Sequence, residues 1–146
     1  MMMKLLLAGL AMAAAPVTAA EHRTRIDHPV GPVDAHYRAS VDVAHKQVGA
    51  VAPGGRSSSL RCHWSATVNV DRVARHAAGS VMARSISRDA AIKGSRPGWC
   101  EGQRTAISRD VAARMDEVHG HMMAVAREDH PVLHAELDRL HGARTG

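Results

Sequence analysis

Residues Leu60–Val70 read LRCHWSATVNV, and residues Val33–Val43 read VDAHYRASVDV. In the first stretch Leu60, Cys62, Trp64, Ala66, Val68 and Val70 alternate with Arg61, His63, Ser65, Thr67 and Asn69. In the second, Val33, Ala35, Tyr37, Ala39, Val41 and Val43 alternate with Asp34, His36, Arg38, Ser40 and Asp42. Successive side chains of a strand point to opposite faces, so a period of two over this length predicts two half-buried strands. Pro53-Gly54-Gly55-Arg56 and a serine run lie between them. That is turn chemistry, and it predicts an antiparallel hairpin with a wide loop.

Outward from the hairpin, Val81–Ser87 follows a Gly79-Ser80 turn and reads as a third strand. Arg23–Asp27, before Pro29-Val30-Gly31-Pro32, reads as a short edge strand. Lys93–Gly98 (KGSRPG) reads as a turn leading into Trp99 and Cys100. The period then changes. Ile107, Val111, Met115, Val118, Met122 and Val125 recur at three and four residues, the stripe of an amphipathic helix from about Cys100 to Arg127. Asp129-His130-Pro131 interrupts it, with Pro131 suited to the first turn of a new helix. Leu133, Leu137 and Leu140 mark that second, shorter helix, ending near Gly142. The fold expected is α+β: an antiparallel hairpin or small sheet of two to four strands, followed by two C-terminal helices packed on one face, with one disulfide.

The disulfide follows from where the chain is expected to reside. Residues 1–20, MMMKLLLAGLAMAAAPVTAA, have Lys4 in a short first region, then an apolar run from Leu5 to Ala15, then Pro16 and small residues. The run is too short for a bilayer, which needs about 20 apolar residues, and polar sequence begins at Glu21. This is the pattern of a cleaved secretory signal, with cleavage expected after Ala19 or Ala20. It predicts a periplasmic or extracellular protein that is not transmembrane after cleavage. The division expected is 1–20 signal, 21–142 a single α+β domain, and 143–146 a flexible tail.

Cys62 and Cys100 are the only cysteines. An even count in an exported chain favours one disulfide. Both fall on apolar faces, and the bridge closes a 38-residue span. Such a staple matters here. After the signal the chain holds 14 Val, 4 Ile, 4 Leu and no Phe, which is a thin core for a small domain.

No G-x-S-x-G, H-E-x-x-H, S-x-x-K or Gly-rich phosphate loop is present. The chain is basic, with 16 Arg and 3 Lys, but acids are interspersed and no block of five like charges occurs. With only Tyr37, Trp64 and Trp99 as aromatics, there is no stacking platform, and nucleic acid is not an expected partner. The polar face of the hairpin carries His36, Arg38, Asp42, Arg61 and His63. It is the candidate binding surface, for an envelope protein or an anionic polymer. Asp42 and His63 would form an acid–base pair if the strand register brought them together, which is the basis of a third reading, a hydrolase.

All eleven histidines follow the signal, and they carry the alternative, a periplasmic Cu- or Zn-binding protein. His130, His134 and His141 share one side of the last helix, and Asp138 lies one turn after His134. Two further metal groups are also present. One is His119-Gly120-His121-Met122-Met123 with Met115, suited to Cu(I). The other is an amino end Ala20-Glu21-His22, which would suit Cu(II) or Ni(II) if cleavage followed Ala19. The reading expected first is a non-enzymatic binding or interaction module of the periplasm or envelope, with no cofactor.

Overall fold

The computed structural model describes residues 18–145, with side chains for 19–143. The secretory segment expected over residues 1–20 therefore lies almost entirely outside the described residues. Four strands come first: β1 Thr18–Ile26, β2 Val33–Val48, β3 Arg61–His76 and β4 Val81–Pro97. Two helices follow, α1 Cys100–Ala112 and α2 Met115–Thr145. The strands form one antiparallel sheet in the order β1-β2-β3-β4. The α+β architecture read from the sequence is the one observed.

The strands are longer than their alternating cores. β2 and β3 have 16 residues each, which is about 50 Å at roughly 3.3 Å per residue. They pair from Val33↔His76 to Val48↔Arg61. β1 begins at Thr18, so three residues of the expected signal lie in this strand; Thr18 pairs with Ser40 and Ala20 with Ala39, with a register shift between them. Ala20, Glu21 and His22, the residues of the expected amino-terminal copper set, all lie in β1. The His22 ring stacks on Tyr37 at 6.1 Å.

Lys93–Pro97, expected as a turn, instead forms the last five residues of β4. β4 is an edge strand, so Pro97 can sit where no partner needs its missing N–H. Gly94 lies opposite Trp64, where a Cβ would meet the indole at 2.6 Å. Glycine here makes room for the ring. The register shifts between Ala66 and Val68, with Ile92 and Arg88 opposite them, and Ala90 in this bulge has φ +47°.

The helices pack on one face of the sheet. Val33, Ala35, Tyr37, Ala39, Cys62, Trp64, Ala66, Val68 and Val70 are buried beneath Ile107, Val118, Met122, Val125, Leu133 and Leu137. The Cys62–Cys100 bridge is formed and ties β3 to the start of α1. Gln47 of β2 completes that corner. Its Oε1 accepts the Cys100 N–H at 2.6 Å, and its Nε2 donates to the Arg61 and Gly98 carbonyls. Trp99, at the N-cap position of α1, supplies no side-chain cap bond, so Gln47 does that work from outside the helix.

The boundary between the helices differs from the sequence expectation. It falls at Ala113–Arg114, and α2 passes through Pro131 without a break. An interior proline costs about 3 kcal/mol. Here Leu133 and Leu137 are buried after it and Asp129 is anchored before it, so packing on both sides outweighs that cost. The true break is pinned by Arg114. Its guanidinium donates to the Lys93 carbonyl at 2.8 Å, pairs with Glu117, and stands 5.8 Å over the Trp64 ring. α2 continues to Thr145, through residues expected as a tail. Among the described residues no helix is long and apolar enough to cross a membrane.

Candidate functional site

Covering one face of the sheet leaves the other open, and strand alternation decides what it shows. Neighbouring strands place Arg25, Asp34, Arg75 and Val81 in one row across it, then Arg23, His36, Val73 and Ala83, then Glu21, Arg38, Asp71 and Ser85. Toward the other end lie Ser40, Asn69 and Ser87, then Asp42 and Thr67. Beyond these come Ala44, Ser65 and Lys93, then Lys46, His63 and Ser95, and finally Val48, Arg61 and Pro97.

The five residues expected on this face are therefore on one surface, but they form no single cluster. His36 is 3.3 Å from Glu21 through Nε2, and Arg38 lies 3.6 Å from the same carboxylate. Asp42 accepts from the Asn69 amide at 2.6 Å. Arg61 donates to Ser95 at 2.8 Å. The register corrects the proposed acid–base pair: Asp42 is opposite Thr67 and His63 is opposite Lys46. Four residues along a strand is about 13 Å, so Asp42 and His63 cannot exchange a proton directly. Arg38 and Arg61 are also at opposite ends of the face.

Two hollows lie on the open face. The larger, about 800 Å³, is walled by Arg23, Arg25, Asp34, His36, Arg38, Asp71, Val73 and Arg75. Four arginines face two aspartates in it. Arg25 is held by Asp34 at 3.0 Å, while Arg75 makes no ion pair among the described residues. The smaller, about 460 Å³, has Ala44, Lys46, His63, Ser65, Lys93 and Ser95 around the backbone of His45, Trp64 and Gly94. No acid lines it. Between the hollows the face is tied down by hydrogen bonds from Asn69 to Asp42, Ser87 to Asn69 and Ser85 to Asp71.

The C-terminal histidines are partly brought together. His130 and His134 have their Nε2 atoms 3.0 Å apart, as residues one turn apart on α2. The β1–β2 turn adds His28, which the sequence did not point to. Its ring is 5.6 Å from His134, and its Nε2 is 2.7 Å from Asp138 Oδ1. Asp138 is thereby engaged by His28, and the backbone N–H of Val30 donates to His28 Nδ1. His141 lines a small hollow with Val30, His76 and Leu137. Among the described residues no three His, Cys, Asp or Glu are placed to hold one metal ion. The expected four-residue set of His130, His134, Asp138 and His141 thus reduces to one histidine pair. Met122 of the other group is in the core, while His119 is exposed.

Sequence reasoning missed a buried charge network. Arg72 continues the alternation of β3 onto its apolar face and is fully buried, as is Asp129. Arg72 Nε and Nη2 donate to the two Asp129 oxygens at 2.8 and 3.1 Å, and Nη1 donates to Glu136 at 2.9 Å. Arg84 and the Tyr37 hydroxyl also donate to Asp129, at 2.7 and 2.8 Å. Burial works to raise the Asp129 carboxyl pKa, but donation from Arg72, Arg84 and Tyr37 outweighs it and holds the group below the usual carboxylate range. Burial, then the bond to Asp129, pushes the Tyr37 phenol up. The signal was present: Arg72 falls on an apolar strand parity, and Asp129 is one turn from both Val125 and Leu133 on the apolar helix stripe. Arg72 and Asp129 are closed off from solvent, while Arg84 and Glu136 reach its edge; two cations matched by two carboxylates make this network a structural device.

Comparison with family models, with curated proteins and with solved structures finds no match to this chain.

Proposed function

We propose that the chain is an exported, non-enzymatic binding module that holds an anionic envelope polymer on the open face of its sheet. The observation that carries this reading is the hollow on that face, walled by Arg23, Arg25, Arg38 and Arg75. A guanidinium presents a planar fork of donors that matches a carboxylate or phosphate edge, and several forks on a flat surface suit a repeating anion. The secretory pattern at the amino end and the disulfide are compatible with an envelope location. The test is retention of the purified, oxidised chain on immobilised alginate, a linear polycarboxylate, across a salt gradient. Arg38→Glu with Arg75→Glu is expected to abolish retention while leaving the circular dichroism spectrum unchanged. Equal retention of the folded variant would remove this site.

A second reading rests on the His130–His134 pair, whose facing Nε2 atoms offer two imidazole ligands to a Cu or Zn ion. Other positions would have to be filled by water or a partner. Replacing both histidines by Ala should lower Zn(II) affinity in a competition titration. Unchanged affinity sinks this reading and leaves the first untouched.

A further inference from the structure

We infer that the smaller hollow of the open face is a separate site for one compact oxyanion of the phosphoryl class. The chain has three lysines, Lys4, Lys46 and Lys93. The two among the described residues wall the same hollow, with His63 directly opposite Lys46. Lys93 lies opposite Ser65, and Ser95 lies opposite His63, so two ammonium groups, an imidazole and two hydroxyls surround one patch of backbone.

Its chemistry differs from that of the larger hollow. There, arginines stand among carboxylates that already occupy part of their donor capacity. Here no acid lines the hollow, and among the described residues neither lysine nor His63 forms an ion pair. An ammonium is a compact point charge on a flexible stem and imposes no plane. Two of them with hydroxyl donors fit a tetrahedral oxyanion, approached from several directions, better than they fit a flat carboxylate. A phosphate monoester carries about −1.5 to −2 charges at neutral pH, matching the two lysines. The hollow is larger than a phosphoryl group alone, leaving room for the organic part of such an ester. Asp42 and Thr67, the next row of the face, separate this hollow from the arginines. The negative charge at that row makes the two ends independent anion sites.

The test is a titration of the ¹⁵N-labelled, oxidised chain with phenyl phosphate at low ionic strength, with inorganic phosphate as a second arm. Saturable amide shifts confined to residues 44–46, 63–65 and 93–95 are expected, with little change around Arg23–Arg25 or Val73–Arg75. Lys46→Ala with Lys93→Ala removes two exposed side chains and should weaken binding roughly tenfold or more. Arg38→Glu with Arg75→Glu should leave it intact, which separates this site from the polymer-binding face. Tighter binding of phenyl phosphate supports a monoester, and equal binding of inorganic phosphate supports the free anion at the same site. Shifts spread over the whole face, no saturation, or undiminished binding in the lysine variant would overturn the inference.

Discussion

Arg72 and Asp129 meet through two hydrogen bonds of 2.8 and 3.1 Å with neither side chain exposed to solvent. They are 57 residues apart and join the later part of β3 to the middle of α2. Two charges withdrawn from water are tolerable only because each is bonded on several sides, Asp129 by Arg84 and Tyr37, and Arg72 by Glu136. The pair also explains why α2 continues through Pro131. Asp129 lies two positions before the proline and is anchored to the sheet.

Removing one partner leaves the other buried and uncompensated. Asp129→Ala or Arg72→Ala is therefore expected to cost about 3–5 kcal/mol, measured by urea unfolding of the oxidised chain. Tyr37→Phe removes one of several donors and should cost nearer ~1 kcal/mol. Arg72→Met combined with Asp129→Leu should be milder than the sum of its single changes. Strict additivity would show that the two residues do not act as a pair.

Acid should loosen the same contact. The Asp129 carboxyl lies below its unfolded value in the folded chain, as do Asp110 beside Arg96 and Glu117 beside Arg114. A depressed folded-state pKa contributes stability that is fully present above the unfolded value, about 4 for a carboxylate, and is lost as pH falls through the folded value. The urea midpoint should therefore decline below about pH 4, and less steeply in Asp129→Asn. Parallel decline of variant and parent would exclude Asp129 as a source. Tyr37 acts in the opposite sense: its raised pKa gives a contribution present below about pH 10 and lost as pH rises through the folded value.

Reduction of the Cys62–Cys100 bridge opens a loop of 38 residues in separation. Chain entropy puts the loss at about 4 kcal/mol. Cys62→Ser with Cys100→Ser should lower the thermal midpoint by about 15 °C. No change on reduction would mean that burial of α1 and the Gln47 bonds suffice to hold that corner.

Gly94→Ala is a sharper probe of packing. The added Cβ would meet Trp64 ring atoms at 2.6–2.9 Å, and overpacking of this kind costs about 1–3 kcal/mol. The Trp64→Leu background should relieve much of that penalty. A neutral Gly94→Ala in the parent would show that the indole is free to move.

Much of this fold is legible locally. Cys62, Trp64 and Val68 alternate with polar neighbours, and Ile107, Val111, Val118 and Met122 repeat with a helical period, because one buried face imposes its spacing on nearby residues. Lys93–Pro97 looks like a turn because Gly and Pro usually punctuate. They are tolerated in β4 by an edge position and by the space Trp64 takes. The candidate site was legible only as a list. Alternation placed His36, Arg38, Asp42, Arg61 and His63 on one face, but their distances along it depend on register. Register is a long-range property.

The sequence by itself determined which side chains share a face, which cysteines bridge, and where strands yield to helices, since each follows from periodicity or from the pairing of two thiols. Only the tertiary structure decided that Arg72 is neutralised by Asp129, that Pro131 is carried inside a continuous helix, and that Lys46 and Lys93 stand around one hollow. Each of these brings together residues from separate elements. Their positions are settled by the packing of whole elements, and no local pattern encodes that.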